Sequence, residues 1–230
     1  MTLRAVIFDI DGTLIDSVDL HAEAWREALL HFGHDIPYEK VRWQIGKGGD
    51  QLMAALLTKG ERERQGEEIE RYRSQLFKEK YLPKATAFPQ VRDLFKRLKA
   101  SGLRVALASS CKADEMLVYE RLANIKDLVD GKTCGDDVDR SKPEPDIFEA
   151  MLRRLGELQP DQAIAVGDTP YDAEAAGKAG LRTIGVLSGG FPEEALRKAG
   201  CMAIYRDPAD MLKNYARTPL SRTDQQSSHE

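Results

Sequence analysis

Apolar residues fall in short runs, each stopped by a polar residue. Leu3-Arg4-Ala5-Val6-Ile7-Phe8 ends at Asp9. Leu103-Arg104-Val105-Ala106-Leu107-Ala108 ends at Ser109, and Ala163-Ile164-Ala165-Val166 ends at Gly167-Asp168. Arg182-Thr183-Ile184-Gly185-Val186 is a fourth run. Runs of this length, rich in Val, Ile, Leu and Ala, predict buried strands that open into polar loops. Between them, 90–100, 113–123, 146–155 and 172–179 have helical spacing. Alternating strands and helices predict an α/β fold with a Rossmann-like parallel sheet and right-handed crossovers. Ligands of such sheets sit at the carboxyl ends of the strands, so the residues that stop these runs are expected to converge.

Residues 16–82 interrupt the alternation. Leu20, Ala24, Ala28, Leu29 and Phe32 share a helical face that Gly33 can end. Residues 50–58 predict a second helix, and 61–81 a long charged one with Glu63, Glu67, Arg71 and Gln75 on its solvent side. The block predicts an inserted all-helical cap, with Pro83 as the return hinge. The expected organisation is a core of residues 1–15 and 83–216, a cap of 16–82, and a disordered tail over 217–230, which is polar and aperiodic.

A chain of 230 residues can bury such a core and cap. The net charge of −4 argues against a nucleic-acid partner, which would call for a basic face. No apolar run approaches the ~20 residues of a membrane span, and no secretory signal pattern is visible, so a cytoplasmic protein without membrane contact is expected. Cys111, Cys134 and Cys201 are far apart and odd in number, which disfavours disulfides and zinc.

The chemistry-bearing residues lie where the apolar runs stop. Asp9 and Asp11 are two apart and followed by Gly12, which permits a sharp turn. Asp168, with Asp172 one helical turn on, adds two more carboxylates. Carboxylates gathered at one sheet edge repel unless a cation holds them, and hard oxygen ligands suit magnesium. Ser109 can donate to a phosphate oxygen, and Lys142, in Ser141-Lys142-Pro143-Glu144-Pro145, offers a point charge. Together they suit phosphoryl transfer by in-line carboxylate attack. Each residue also has a plainer reading. The aspartates can cap turns, Lys142 can be a surface lysine, Ser109 a turn hydroxyl, and Asp172 a helix-start acid.

Taken in order, Phe8-Asp9-Ile10-Asp11-Gly12-Thr13, Ser109, Lys142 in its Lys-Pro-Glu-Pro setting, and Gly167-Asp168-Thr169-Pro170-Tyr171-Asp172 resemble the four motifs of the haloacid dehalogenase-like hydrolases. The resemblance spans residues 1 to about 215 and extends to that family's first-type helical cap. It implies that Asp9 attacks phosphorus to give an aspartyl-phosphate. It implies that Asp11 protonates the leaving oxygen and then activates water. Magnesium would be bound by the Asp9 carboxylate, the Asp11 backbone carbonyl and the Asp168 carboxylate, with Asp172 supporting them. Ser109 and Lys142 would hold the phosphate of a small phosphorylated metabolite.

In the cap, His21 with Ala24-Trp25 is similar to β-phosphoglucomutase-like proteins, where such a histidine shields and couples the site. Gly46-Lys47-Gly48-Gly49 could present Lys47 to the substrate or be only an inter-helix loop. Gln51 lies nearby, as Cys111 and Lys112 lie near Ser109. Phosphomonoester hydrolysis is the first functional expectation and a sugar phosphomutase the second. The mutase-like cap usually carries an arginine for a second phosphate, which 46–49 lacks; Arg42 is off the pattern. Haloacid dehalogenation needs neither metal nor the second acid, so Asp11 argues against it. An inactive binding module fits poorly with an intact acid set.

Overall fold

The computed structural model describes residues 2–221. In chain order the strands and helices are β1 (Ala5–Phe8), β2 (Ile15–Asp16), α1 (Val18–His31), α2 (Tyr38–Arg42), α3 (Gly49–Leu56), α4 (Lys59–Leu76) and β3 (Thr86–Ala87). There follow α5 (Val91–Ala100), β4 (Arg104–Ala108), α6 (Ala113–Leu122), β5 (Gly131–Thr133), α7 (Asp146–Arg154) and β6 (Ala163–Gly167). The last are α8 (Pro170–Lys178), β7 (Arg182–Val186), α9 (Glu193–Lys198), β8 (Cys201–Tyr205) and α10 (Pro208–Lys213).

Among the described residues, β5-β4-β1-β6-β7-β8 form one parallel sheet. All four expected runs are in it. The edge strand β8 and the three-residue β5 were not expected. β1 lies between β4 and β6, in register from Ala5 opposite Arg104 and Ala163 to Phe8 opposite Leu107 and Val166. The chain leaves β1 for one side of the sheet and later returns to the other. This is the strand-order reversal where a crevice opens.

Alternate residues of each strand feed two layers. Val6, Phe8, Val105, Leu107, Ile164 and Val166 pack against Leu94, Phe95 and Leu98 of α5, Met116 and Tyr119 of α6 and Met211 of α10. Ala5, Ile7, Ala106, Ala108 and Ala165 face Ile147, Phe148 and Met151 of α7 and the alanines of α8. Small residues on that face let these helices approach closely.

Helices α1–α4 have a core of their own, built from Ala22, Trp25, Leu29, Val41, Leu52 and Ile69. Thr58 caps α4 reciprocally with Glu61, satisfying donors that a helix start leaves free. Glu63, Glu67, Arg71 and Gln75 are exposed along α4, as its charge pattern predicts. The short α2 was not expected. β2 pairs antiparallel with β3, Ile15 opposite Ala87, which brings the two ends of the helical block together beside β1. Pro83 lies in a 3₁₀ turn at the return, Leu82–Lys84.

The expected tail needs a correction at its start. Tyr215–Arg217 form a 3₁₀ turn, Thr218 is buried, and Leu220 packs into the layer beneath α5. Two buried side chains within four residues anchor this stretch, although its composition is polar. The remainder of that expectation, 222–230, lies outside the described residues. Among the described residues, no helix is long and apolar enough to cross a membrane.

Candidate active site

β1 delivers Asp9 to the crevice because the strand's hydrogen bonding runs to that residue, whose N–H donates to the Val166 carbonyl at 2.8 Å. Gly12, at φ +80°, then turns the chain; a Cβ there would stand 2.3 Å from Asp168 Oδ2. The turn thus brings the β1 loop against the end of β6. Thr13, in the same loop, donates to Asp168 Oδ1 at 2.8 Å. Asp168 is also crowded by Gly189, where a Cβ would meet Oδ2 at 1.7 Å.

Asp172 takes the helix-start role weighed for it and also reaches Lys142. Thr169 caps α8, and Asp172 Oδ2 accepts from the Thr169 hydroxyl at 2.6 Å and from its N–H at 3.1 Å. Its Oδ1 lies 2.8 Å from Lys142 Nζ. Lys142 is no surface lysine: it is 1% exposed and donates to Asp9 Oδ1 at 2.5 Å and to the Ala108 carbonyl at 2.9 Å. Burial pulls its pKa down, but Asp172 and Asp9 outweigh this and hold the ammonium above its ordinary range.

One carboxylate oxygen from each of Asp9, Asp168 and Asp172 lies within 4.8 Å of the others. Burial, with mutual repulsion, drives the Asp9 and Asp168 carboxyls upward; Lys142 offsets part of this. Asp168 Oδ2 is buried with no hydrogen-bond partner. An unpaired buried carboxylate oxygen is costly, and a hard divalent cation is its natural partner. The donor set, all oxygen and partly unsatisfied, fits magnesium.

The Asp11 carboxylate is held elsewhere. Its Oδ1 accepts from Ser17 at 2.6 Å and from His21 Nε2 at 2.9 Å. Burial pushes the Asp11 carboxyl up, but His21, Ser17 and Tyr119 outweigh it and bring it down to about 2. His21 is therefore neither exposed nor idle. It is 6% exposed, stacks on Phe77 at 3.9 Å and lies 3.1 Å from the Tyr119 hydroxyl. Phe77 opens a π-helical turn, Phe77–Tyr81, that continues α4; such turns often shape functional sites.

A pocket of about 40 Å³ is lined by Asp9, Asp11, His21, Lys47, Ser109 and Arg73, among others. Ser109 is buried and its Oγ accepts from the Cys111 N–H at 3.1 Å. Lys47 lies at the rim, donating to Gln44 Oε1 at 2.7 Å with its ammonium 4.6 Å from the Tyr171 ring centre. Burial lowers its pKa. Cys111 lines the same pocket, but burial raises its thiol well above the ordinary value, so it is no thiolate nucleophile. Cys134 and Cys201 are free and buried. The Gln51 amide donates to its neighbour Asp50 at 3.1 Å. Arg42 donates through Nε to Asp19, at 2.7 Å, and through Nη2 to the Gly189 carbonyl, at 3.1 Å, while its Nη1 is buried without a hydrogen-bond partner among the described residues.

Sequence reasoning missed Ser17, Tyr119, Arg73 and Glu115. Arg73 left a faint signal, since it falls four residues after Ile69 and four before Phe77, on the buried face of α4.

Comparison with known proteins shows the family. Residues 6–186 match the family described as haloacid dehalogenase-like hydrolase. The chain is 32% identical to a phosphorylated carbohydrates phosphatase of Thermotoga maritima, over 91% of this chain and 97% of that one. It is 31% identical to a phosphoglycolate phosphatase of Escherichia coli, over 91% of each. A hydrolase of Pseudomonas syringae superposes with a TM-score of 0.85 at 27% identity, covering 93% of this chain and 98% of that one.

Proposed function

The chain belongs to the haloacid dehalogenase-like hydrolases, on their phosphatase branch, and we propose that it hydrolyses small phosphate monoesters with magnesium through an aspartyl-phosphate on Asp9. One observation carries the reading: two carboxylates two residues apart sit in opposite environments. Asp9 is gripped by a buried lysine within the acid cluster, whereas Asp11 is bonded to Ser17 and His21. This difference supports assigning attack to Asp9 and proton handling to Asp11, the two roles that two-step transfer requires.

In the first step Asp9 forms a bond to phosphorus as the ester P–O bond breaks, and the leaving oxygen takes a proton from Asp11, which must acquire that proton as substrate binds, because in the free protein His21, Ser17 and Tyr119 outweigh burial and keep it ionised. In the second step Asp11 takes a proton from water, whose oxygen attacks phosphorus and releases Asp9 and inorganic phosphate. Lys142 and Ser109 hold the phosphoryl oxygens, and Lys142 fixes the rotamer of Asp9. Magnesium, held by Asp9, Asp168 and the Asp11 carbonyl with Asp172 behind them, would offset the charge of the transferred group. The cap, bearing His21 and Lys47, would exclude stray water from the first step. Lys47 at the rim would contact the substrate beyond its phosphate.

Phosphate release from small monoesters with magnesium is the test. Asp9→Asn is expected to lower kcat by at least ~10³-fold, and chelation to abolish turnover. Activity surviving both would overturn the reading. Mutase activity finds less support, because the 46–49 loop, where the mutase-like cap usually carries an arginine, has none.

A further inference from the structure

Arg73 and Glu115 face each other beside the phosphoryl site as a long ion pair with no hydrogen bond between them. Arg73 comes from α4 in the cap and is 8% exposed; Glu115 comes from α6 in the core and is 1% exposed. Both line the pocket that holds Asp9 and Asp11. Arg73 Nη1 lies 3.9 Å from Glu115 Oε1, too far for a hydrogen bond. Nε and Nη1 of Arg73 and Oε1 of Glu115 are buried and unpartnered. Among the described residues, the guanidinium makes one hydrogen bond, a long one from Nη2 to Glu70 Oε1 at 3.4 Å. The plane is otherwise fixed by rings, with its carbon 4.8 Å from the centre of Trp25 and 5.9 Å from that of Phe77. Free donors and a free acceptor, both buried and immobilised around one gap, are costly unless something fills it.

The occupant must accept from Arg73 and donate to Glu115. A hydroxyl does both. A carboxylate or second phosphate can only accept, and would bring its charge against Glu115 and Glu70. The wider cleft outside points the same way. It has about 820 Å³, shares Gly49 and Ser110 with the inner pocket, and is lined by six carboxylates against three cations. A distal anion is opposed there as well.

We infer that Arg73 and Glu115 together bind a hydroxyl of the leaving group, so that the preferred substrates are monoesters of polyols and sugars rather than of hydroxy acids. This deepens the phosphomonoesterase reading and rests on it. The site straddles cap and core, so a matching hydroxyl also ties the two together over the reacting phosphate.

Three esters of similar length separate the possibilities: glycerol 1-phosphate, propyl phosphate, which lacks the hydroxyls, and phosphoglycolate, which carries a carboxylate. Glycerol 1-phosphate is expected to exceed both in kcat/KM by roughly tenfold or more, chiefly through KM. In Arg73→Met and Glu115→Ala the ratio of glycerol 1-phosphate to propyl phosphate should fall towards one. Glu115→Gln keeps an acceptor but loses the charge, so it should retain part of that ratio while improving phosphoglycolate relative to propyl phosphate. Each ratio is taken within one protein, so loss of folded enzyme cancels.

Equal use of propyl and glycerol phosphates by the wild type, or a preference for phosphoglycolate, would overturn the inference and leave the phosphatase reading standing. If no ester is turned over, calorimetry on Asp9→Asn, or on chelated wild type should that variant misfold, decides the matter. Hydroxyl-dependent binding lost in Glu115→Ala keeps the pocket and sinks the phosphatase; binding indifferent to hydroxyls sinks both.

Discussion

Asp9 and Asp168 are held in tension by burial. In the metal-free protein burial is the main cause that raises the Asp9 carboxyl to about 8, with Lys142 opposing it and Asp172 and Asp11 adding to it. Asp168 moves the same way. An unfolded aspartate titrates near 4, roughly. Between those values the folded state binds more protons than the unfolded one, so raising the pH costs stability until the folded carboxyl has ionised. Magnesium competes for the same oxygens and needs them deprotonated. The melting-temperature gain from magnesium is therefore expected to grow from about pH 6 to about pH 8 and then level off. Scanning fluorimetry with and without the metal measures it. A gain independent of pH would mean that these carboxylates are not the binding oxygens. Asp9→Asn removes one titrating group and should flatten the curve.

The loop before α3 shows how an element can be legible in kind but not in purpose. Gly46-Lys47-Gly48-Gly49 reads as a flexible turn, yet the glycines serve close approach. A Cβ on Gly46 would stand 2.6 Å from the Thr169 side chain, and one on Gly48 would stand 2.0 Å from Ser141 Oγ and 2.2 Å from its Cβ. The cap loop thus rests on the residues that flank Lys142 and Asp168. Gly48 has φ −73°, which alanine tolerates, so space alone forbids a side chain there. Gly48→Ala is expected to prop the cap away from the core, lowering kcat/KM by about tenfold or more with little change in melting temperature. Steady-state kinetics beside a thermal melt checks this, and full activity would show that the seat is not needed. The partner, Ser141, is remote in the chain, so no local pattern could have revealed the contact. β5, only Gly131–Thr133, is too short for a period to register. β1, β4, β6 and β7 were legible because burial on both faces leaves unbroken apolar runs. The acids at their ends were legible because parallel topology gathers strand ends. Arg73 and Glu115 were hidden among many surface charges, and only the packing of cap on core singles them out.

At the scale of the molecule, the sheet needs both faces covered, and the face beneath α5 and α10 is closed by the last described residues. Leu220 is fully buried there in the same cluster as Phe95 and Met211. The approach is locked by the Thr218 hydroxyl donating to the Tyr215 carbonyl at 2.7 Å and by Arg97 lying 4.6 Å from the Tyr215 ring centre. Composition marks this stretch as a loose tail, because one leucine among polar residues carries no period. Its contribution is instead a plug, small in sequence and large in area removed from water. Leu220→Ala should cost about 2–3 kcal/mol, the lower part of the range for such truncations, since a segment near the chain end can settle into the space. For a chain of this length that is a fall of roughly 4–12 °C in melting temperature. Leu220 does not line the proposed site, so kcat/KM at a temperature well below the transition should match the wild type. Urea unfolding followed by tryptophan fluorescence gives the stability. A variant as stable as the wild type would return residues 217–221 to the status of a tail, and the sheet face would then have to be sealed by α5 and α10 alone.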